Sequence, residues 1–333
     1  MHTRTRYLAQ LGLASLLSAC SDGGSSDRVG TTGGADAALD ASSTTGGDAE
    51  APPDEAGAPG FNGGPGSVKV VDEGGLRVAT ITTSSFIIAP GEERYICQNF
   101  ENPYGQDVAV VKSSSTMTGG SHHMFAFQKQ VGNAALEDCS GLEFGPAVHS
   151  AQAPKREIVY PDGIARALKA TDGLRIQAHY LNVTDKPITA EVKIVLQAST
   201  DDSFQLAASL FFNNLDLSVP AKSKGSAERT CTLPQDIELM NAVSHMHSFG
   251  THFVATLEDS TVLYETDEWS DPVARVFDPP LKLKAGTKIT YRCDYDNTSK
   301  NPLRFGESAR TDEMCILLGQ FYPSPDGAGI TCM

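Results

Sequence analysis

Basic residues are scarce in this 333-residue chain: 26 Lys and Arg stand against 41 Asp and Glu, a formal net charge of −15. So acidic a body argues against nucleic acid as a partner. No apolar run is long enough for a permanent membrane helix. The strongest, "YLAQLGLASLL" (7–17), is too short. Convincing amphipathic helices are few, and no short-period repeat is present, which argues against a solenoid array. Tryptophan is almost missing: Trp269 stands alone in "YETDEWSDP" (264–272), which reads as an exposed loop with no function attached.

Arg4 and Arg6 precede the short apolar run, and the run ends at "LSAC" (17–20). That arrangement resembles a bacterial lipoprotein signal over residues 1–20, with Cys20 as the lipidated residue. An ordinary secretory signal with an incidental cysteine is the plainer alternative. Two acyl chains on Cys20 would meet the requirement for stable anchoring. Ser21 resembles an outer-membrane sorting signal. The expected location is therefore the cell envelope, at the outer membrane, with Cys20 as the only membrane contact.

Residues 21–67 are rich in Gly, Ala, Ser, Thr and Asp and nearly free of large apolar side chains, with a net charge of −7. Such a segment buries too little surface to offset its ordering entropy, so a disordered tether is expected. The rest reads as β structure. "AEVKIVLQAS" (190–199) and "TKITYRCDYDN" (287–297) alternate apolar and polar residues over a strand's length. Gly, Pro, Asn and Asp clusters punctuate the runs, as in sandwiches. A boundary near "STDDSFQL" (199–206) divides this region into two domains, residues 68–203 and 204–333. Six cysteines follow Cys20: Cys97, Cys139, Cys231, Cys293, Cys315 and Cys332. An even number in an exported chain reads as disulfides, with fifteen pairings open.

The histidines are clustered. "SHMHSFGTH" (244–252) holds His245 and His247, which share a face if the segment is a strand. "GGSHHMFAF" (119–127) holds the neighbours His122 and His123, which face one ion only at a strand edge, end or bulge. The two preceding glycines favour such a departure. "RIQAHYLNV" (175–183) adds His179, and "TDEMCILLGQFYP" (311–323) adds Met314, a soft thioether donor. His-x-His on a solvated strand and methionine as core filler are the bland alternatives for each fragment alone. His149 and His252 are expected to be exposed or hydrogen-bonded histidines without a ligand role. Asn182-Val183-Thr184 and Asn297-Thr298-Ser299 match the glycosylation pattern and are expected to be empty.

In this order the fragments resemble the ascorbate-dependent type II copper monooxygenases, the family of peptidylglycine α-hydroxylating monooxygenase and dopamine β-hydroxylase. The resemblance spans about residues 75–333. It implies an all-β fold of two antiparallel, jelly-roll-like β-sandwiches facing each other across a cleft. It implies two coppers per chain: an electron-transfer copper on His122, His123 and His179, and an oxygen-activating copper on His245, His247 and Met314. It also implies the disulfides Cys97–Cys139, Cys231–Cys332 and Cys293–Cys315, and a role for Gln177 behind the ligands. Dioxygen would be activated at the methionine-containing site, hydrogen taken from an activated C–H bond, and both metals reloaded by ascorbate or another small reductant. Nitrogen donors serve both copper oxidation states, and a weak thioether keeps the reduced state accessible. The same thioether argues against zinc.

The departures narrow the substrate. Where the peptide-amidating branch carries an arginine, an asparagine and a tyrosine that hold a carboxylate, this chain has Val243, Ile316 and Leu318. The expectation is a small neutral or aromatic substrate. Two other readings remain open: a copper-binding or copper-buffering envelope lipoprotein without catalysis, and an adhesion or scaffold sandwich with incidental histidines. Oligomeric state is not legible.

Overall fold

The computed structural model describes residues 66–139, 141, 143 and 145–333. The signal, Cys20 and nearly all of the tether lie outside the described residues. No helix occurs among those described. "VKIVLQAS" forms the strand Val192–Ser199 and "KITYRCDYDN" the strand Lys288–Asn297. Each sends alternate side chains inward, as its sequence period predicts.

Besides a small sheet in which Phe86–Ile88 pairs with Ile188–Ala190, two large sheets frame the first half. One runs in the order Ser67–Glu73, Leu76–Thr82, Val192–Ser199, Val108–Met117, Ile164–Leu168 and Gln205–Leu206, with Lys155–Val159 also paired to Val108–Met117. The other runs Glu137–Asp138, Glu93–Phe100, Gly173–Leu181, Ser121–Lys129 and Ala147–Ala151. Ile81, Phe86, Ile96, Met124, Ile176 and Leu196 are among the side chains in the core of this half. The second half pairs a sheet of Arg275–Leu283, Ile237–His245, Ile316–Tyr322, Ala208–Asn213 and Ile330–Cys332 with a sheet of Ser223–Thr232, Lys288–Asn297, Gly250–Leu257 and Val262–Thr266. Its core includes Phe212, Phe253, Tyr291, Tyr295 and Phe321. Each such aliphatic or aromatic side chain contributes roughly 1.5–3 kcal/mol by leaving water. The all-β sandwich architecture is thus present.

Three disulfides staple the chain: Cys97–Cys139, Cys231–Cys332 and Cys293–Cys315. They are the pairs that the resemblance implies. Cys231–Cys332 closes 101 residues, the longest loop, and constrains the unfolded chain most, by roughly 4–5 kcal/mol on the entropic account.

The glycosylation-like triplets have structural jobs. Asn182 is fully buried and its Nδ2 donates to Ile88 O and Lys186 O. Asn297 is fully buried too, and its Nδ2 donates to Pro220 O and Asn301 O. In each triplet the hydroxyl two residues on donates to the asparagine Oδ1 at 2.7 Å. The same turn therefore occurs once in each half.

Candidate metal centre

His179 sits in the middle of its sheet and pairs with His123 on the neighbouring strand, while the next residue, Tyr180, pairs with Ser121. His122 is therefore the extra residue of a β-bulge. Gly120, at φ 89°, supplies the left-handed conformation that starts it. The bulge cancels the usual alternation, so both neighbouring histidines face the same point. His122, His123 and His179 each offer a ligand atom within 4.8 Å of the others.

The second cluster is not built on one strand running through both His245 and His247. The strand Ile237–His245 ends at His245, and His247 lies beyond it in a turn closed by Gly250 N–H donating to His247 O. The cause is Glu313. Its carboxylate accepts His247 N–H at 2.9 Å and Phe249 N–H at 2.7 Å, the donors that another strand partner would otherwise take. The same oxygen that holds His247 accepts Met314 N–H at 3.2 Å. Met314 is fully buried, and its carbonyl accepts the Tyr295 hydroxyl at 2.9 Å. Glu313 so ties the main chains of His247 and Met314 together, while burial pushes its carboxyl up to about 8.

The two clusters meet. His122 belongs to both, because His122, His245 and His247 also offer ligand atoms within 4.8 Å of one another. The ring of His122 stands 4.9 Å from that of His245 and 5.4 Å from that of His247, and His123 stands 5.0 Å from His245. Five imidazoles from two sandwiches thus share one buried chamber instead of facing each other over open water.

Each imidazole is prepared for an ion. His179 Nε2 bonds Glu93 Oε1 at 2.9 Å, His245 Nδ1 bonds Gln152 Oε1 at 2.6 Å, and His247 Nδ1 bonds the Asp312 carbonyl at 3.2 Å. A ring nitrogen that donates outward leaves the other nitrogen's lone pair free for a metal. Those opposite nitrogens, His179 Nδ1, His245 Nε2 and His247 Nε2, have no partner, nor have His122 Nε2 and both nitrogens of His123. Burial, then crowding by the other rings, holds His122, His123 and His245 well below the usual histidine range. Burial draws His247 down to about 4 and lowers His179 as well, against the opposing pull of Glu93. All five are neutral at pH 7, the ligating form. Orphaned buried nitrogens are costly without a partner, and imidazole donors suit copper. The residues fit the metal that the resemblance implies.

Around the cluster, Tyr95 stacks on His179 at 3.9 Å, and its hydroxyl donates to Glu307 O in the other half. Trp269 is not a bare loop residue: it is half-buried, and its ring meets His122 edge-on at 5.8 Å. Gln177 is fully buried, but its amide braces the segment after Cys139. Nε2 donates to Gly141 O and Oε1 accepts Glu143 N–H. His149 is buried between Ser113 and Ser115 hydroxyls, and His252 bonds Asp267; neither belongs to the two ligand groups. Glu93, Tyr95 and Gln152 carried no signal in the sequence. Asp312 lies two residues before Met314, and Glu313 stands beside it, in a segment already singled out.

A cavity of about 300 Å³ opens beside the chamber, between the two halves. Val243 and Leu318, paired across neighbouring strands, line it, as do Phe125 and Phe211. Gln152, which holds His245, also lines it. Ile316 and Leu318 wall the small apolar gap against His123 and His245.

Paired all-β sandwiches that bury a histidine cluster define the class. Residues 214–332 match the family model "Copper type II ascorbate-dependent monooxygenase, C-terminal domain". The match takes in His245, His247 and Met314, and it supports that family and, at that level, an oxidoreductase. No curated protein matches the chain. Among solved structures, the major capsid protein P2 of bacteriophage PM2 is similar at TM-score 0.33 and 9% identity, over 75% of this chain and 100% of that one. The STIV MCP is similar at TM-score 0.32 and 9% identity, over 79% and 98%. Neither likeness carries an argument about function.

Proposed function

We propose that this chain is a copper-dependent monooxygenase that hydroxylates an activated C–H bond of a small substrate with an apolar or aromatic body. One observation carries the reading: five buried, neutral imidazoles with unpartnered nitrogens converge beside a cavity that fits a small molecule. The reaction balances as substrate C–H plus O2, two electrons and two protons giving substrate C–OH and water. Two molecules of ascorbate, or another one-electron donor, supply the electrons. Bound copper would supply electron storage and dioxygen activation. His122, His123 and His179 would hold one ion, and His245, His247 and Met314 the other. The chain's own work is to keep the imidazoles neutral and oriented, through Glu93, Gln152 and Asp312, and to seat the substrate beside His245. The Cys20 anchor at the outer membrane belongs to this reading and rests on the signal sequence alone.

A second reading, copper holding without catalysis, is favoured by the full burial of His123, His179 and His247. Copper content and ascorbate-driven oxygen uptake of the purified full-length chain separate the two. Two coppers with oxygen uptake that His245→Ala and Met314→Ala abolish supports the enzyme. Two coppers with no oxygen chemistry under any reductant supports the holding protein. Zero copper sinks both.

A further inference from the structure

The first half contributes to the cavity something that the second half lacks. Arg166 is 2% exposed and lies in the cavity wall. Its Nη1 reaches Ala207 O at 3.4 Å, a marginal bond, and its Nη2 has no partner. No carboxylate pairs with it among the described residues. Arg156, half-buried, lines the same cavity and also lacks an acidic partner there. Glu143, the one acidic side chain in the lining, is already taken: Lys129 and Arg175 both bond it. Burial draws the Arg166 guanidinium's pKa down from its ordinary value, the sign expected of a cation held without a counter-charge.

A guanidinium stays charged, and a buried charge with an unmade hydrogen bond is unfavourable until an anion reaches it. Its planar fork matches a carboxylate. We propose that Arg166 is the anchor for the carboxylate of a small acid whose apolar body lies against Phe125, Phe127 and Phe211 and whose far end approaches His245.

The strand order sets the direction. Asn241, Val243 and His245 succeed one another on one strand, opposite Gln320, Leu318 and Ile316. Gln320 and Asn241 hydrogen-bond each other at 3.0 Å, and Gln320 Nε2 lies 3.5 Å from the hydroxyl of Tyr160, whose N–H bonds Val111 O beside Val110, the strand partner of Arg166. The arginine therefore marks the Asn241–Gln320 end, and His245 the other. Four residues of strand separate them, about 13 Å at the usual rise. A 300 Å³ space is at the small end of ligand pockets, so the acid is small. The carboxylate is what this adds to the small neutral or aromatic substrate expected from Val243, Ile316 and Leu318. The charge needed for a carboxylate comes from Arg166, on a strand of the first half that lines the same cavity.

The binding claim stands without turnover, whereas the fate of the bound acid rests on the monooxygenase reading. The test is calorimetric binding of 4-phenylbutanoate and 4-phenylbutanamide to the full-length, copper-free chain. The acid should bind at least tenfold more tightly than the amide. Arg166→Met should erase that preference by weakening only the acid, and Arg166→Lys should leave part of it. Equal affinity for the two probes, no binding of either, or an acid preference that survives Arg166→Met overturns the proposal. If Arg166→Met does not fold, Arg166→Lys decides. A several-fold weaker grip on the acid, with the amide unchanged, supports the anchor, and an unchanged grip on both overturns it. With copper and ascorbate added, acid that binds but is not hydroxylated sinks the monooxygenase reading for this acid and leaves the anchor. Hydroxylation of both probes, indifferent to Arg166→Met, does the reverse.

Discussion

Glu93 Oε2 accepts the Ser308 hydroxyl at 2.7 Å, joining residues 215 positions apart in the chain. Its other oxygen accepts Ala309 N–H at 2.6 Å and holds His179 Nε2 at 2.9 Å. Arg310 adds a bond from the same loop to Gly91 O. One carboxylate therefore orients a candidate ligand and docks the second sandwich on the first. Burial alone would raise its pKa, but the His179, Ser308 and Ala309 bonds win and hold it at about 2.

Glu93→Gln keeps the shape and loses the charge. Outer partners of metal-bound histidine typically contribute about 10–100-fold in affinity. The expected outcome is a loss of that order in copper(I) affinity at one site, read by chelator competition, with the other site spared. Equal loss at both, or none, contradicts the role of Glu93 as the carboxylate that orients His179.

Because His122 reaches both clusters, His122→Ala should weaken both ions, whereas His247→Ala should release one. Metal content after dialysis against a chelator distinguishes them. A His122→Ala protein that keeps one full site would show that His122 serves a single ion.

Trp269 is the chain's only tryptophan and meets the ring of His122 at 5.8 Å. Its emission reports on the chamber without a label. Added copper(II) should quench it strongly, and His122→Ala should require more copper for the same quenching. Emission that ignores copper at full occupancy would mean that the ring lies elsewhere in solution.

Glu313→Ala leaves the His247, Phe249 and Met314 N–H groups without their acceptor. An orphaned buried donor costs roughly 1–3 kcal/mol, so urea unfolding should show a loss of several kcal/mol. Restoring glutamate should recover both stability and the second metal. A variant as stable as wild type would show that the turn does not depend on this carboxylate.

The metal-free protein should lose stability as pH falls. Buried His149 is drawn down to about 3 and His247 to about 4, from a usual 6.5, and four more histidines shift the same way. Between pH 6.5 and the folded values the unfolded chain binds more protons, so acid favours unfolding there. Glu93, held at about 2, adds to the loss below its unfolded 4.5. Glu313, pushed up to about 8, has the opposite sign: its share falls as pH rises from 4.5 to 8. Six histidines outweigh one glutamate, so the urea midpoint should drop from pH 7 to pH 4. Bound copper should delay the drop, because protons then compete with the ion. A flat midpoint over this range would contradict the burial of these rings.

Local pattern was enough for much of this protein. Alternation over 192–199 and 288–297 marks strands because the pleat sends successive side chains to opposite faces. The glycines before His122 announced a break in that alternation, and the break is the bulge that lets two neighbouring histidines face one point. The apolar Val243, Ile316 and Leu318 announced a pocket wall without a carboxylate clamp. What only the tertiary structure decided are relations between residues far apart in the chain. His122 stands against His245, Glu93 against Ser308, and Trp269 against His122. Arg166 and Leu318, from different halves, line one cavity. None of these follows from a period or a motif. Each depends on how two separately patterned sandwiches dock, and docking is set by packing and by the few buried polar groups left to satisfy at the seam.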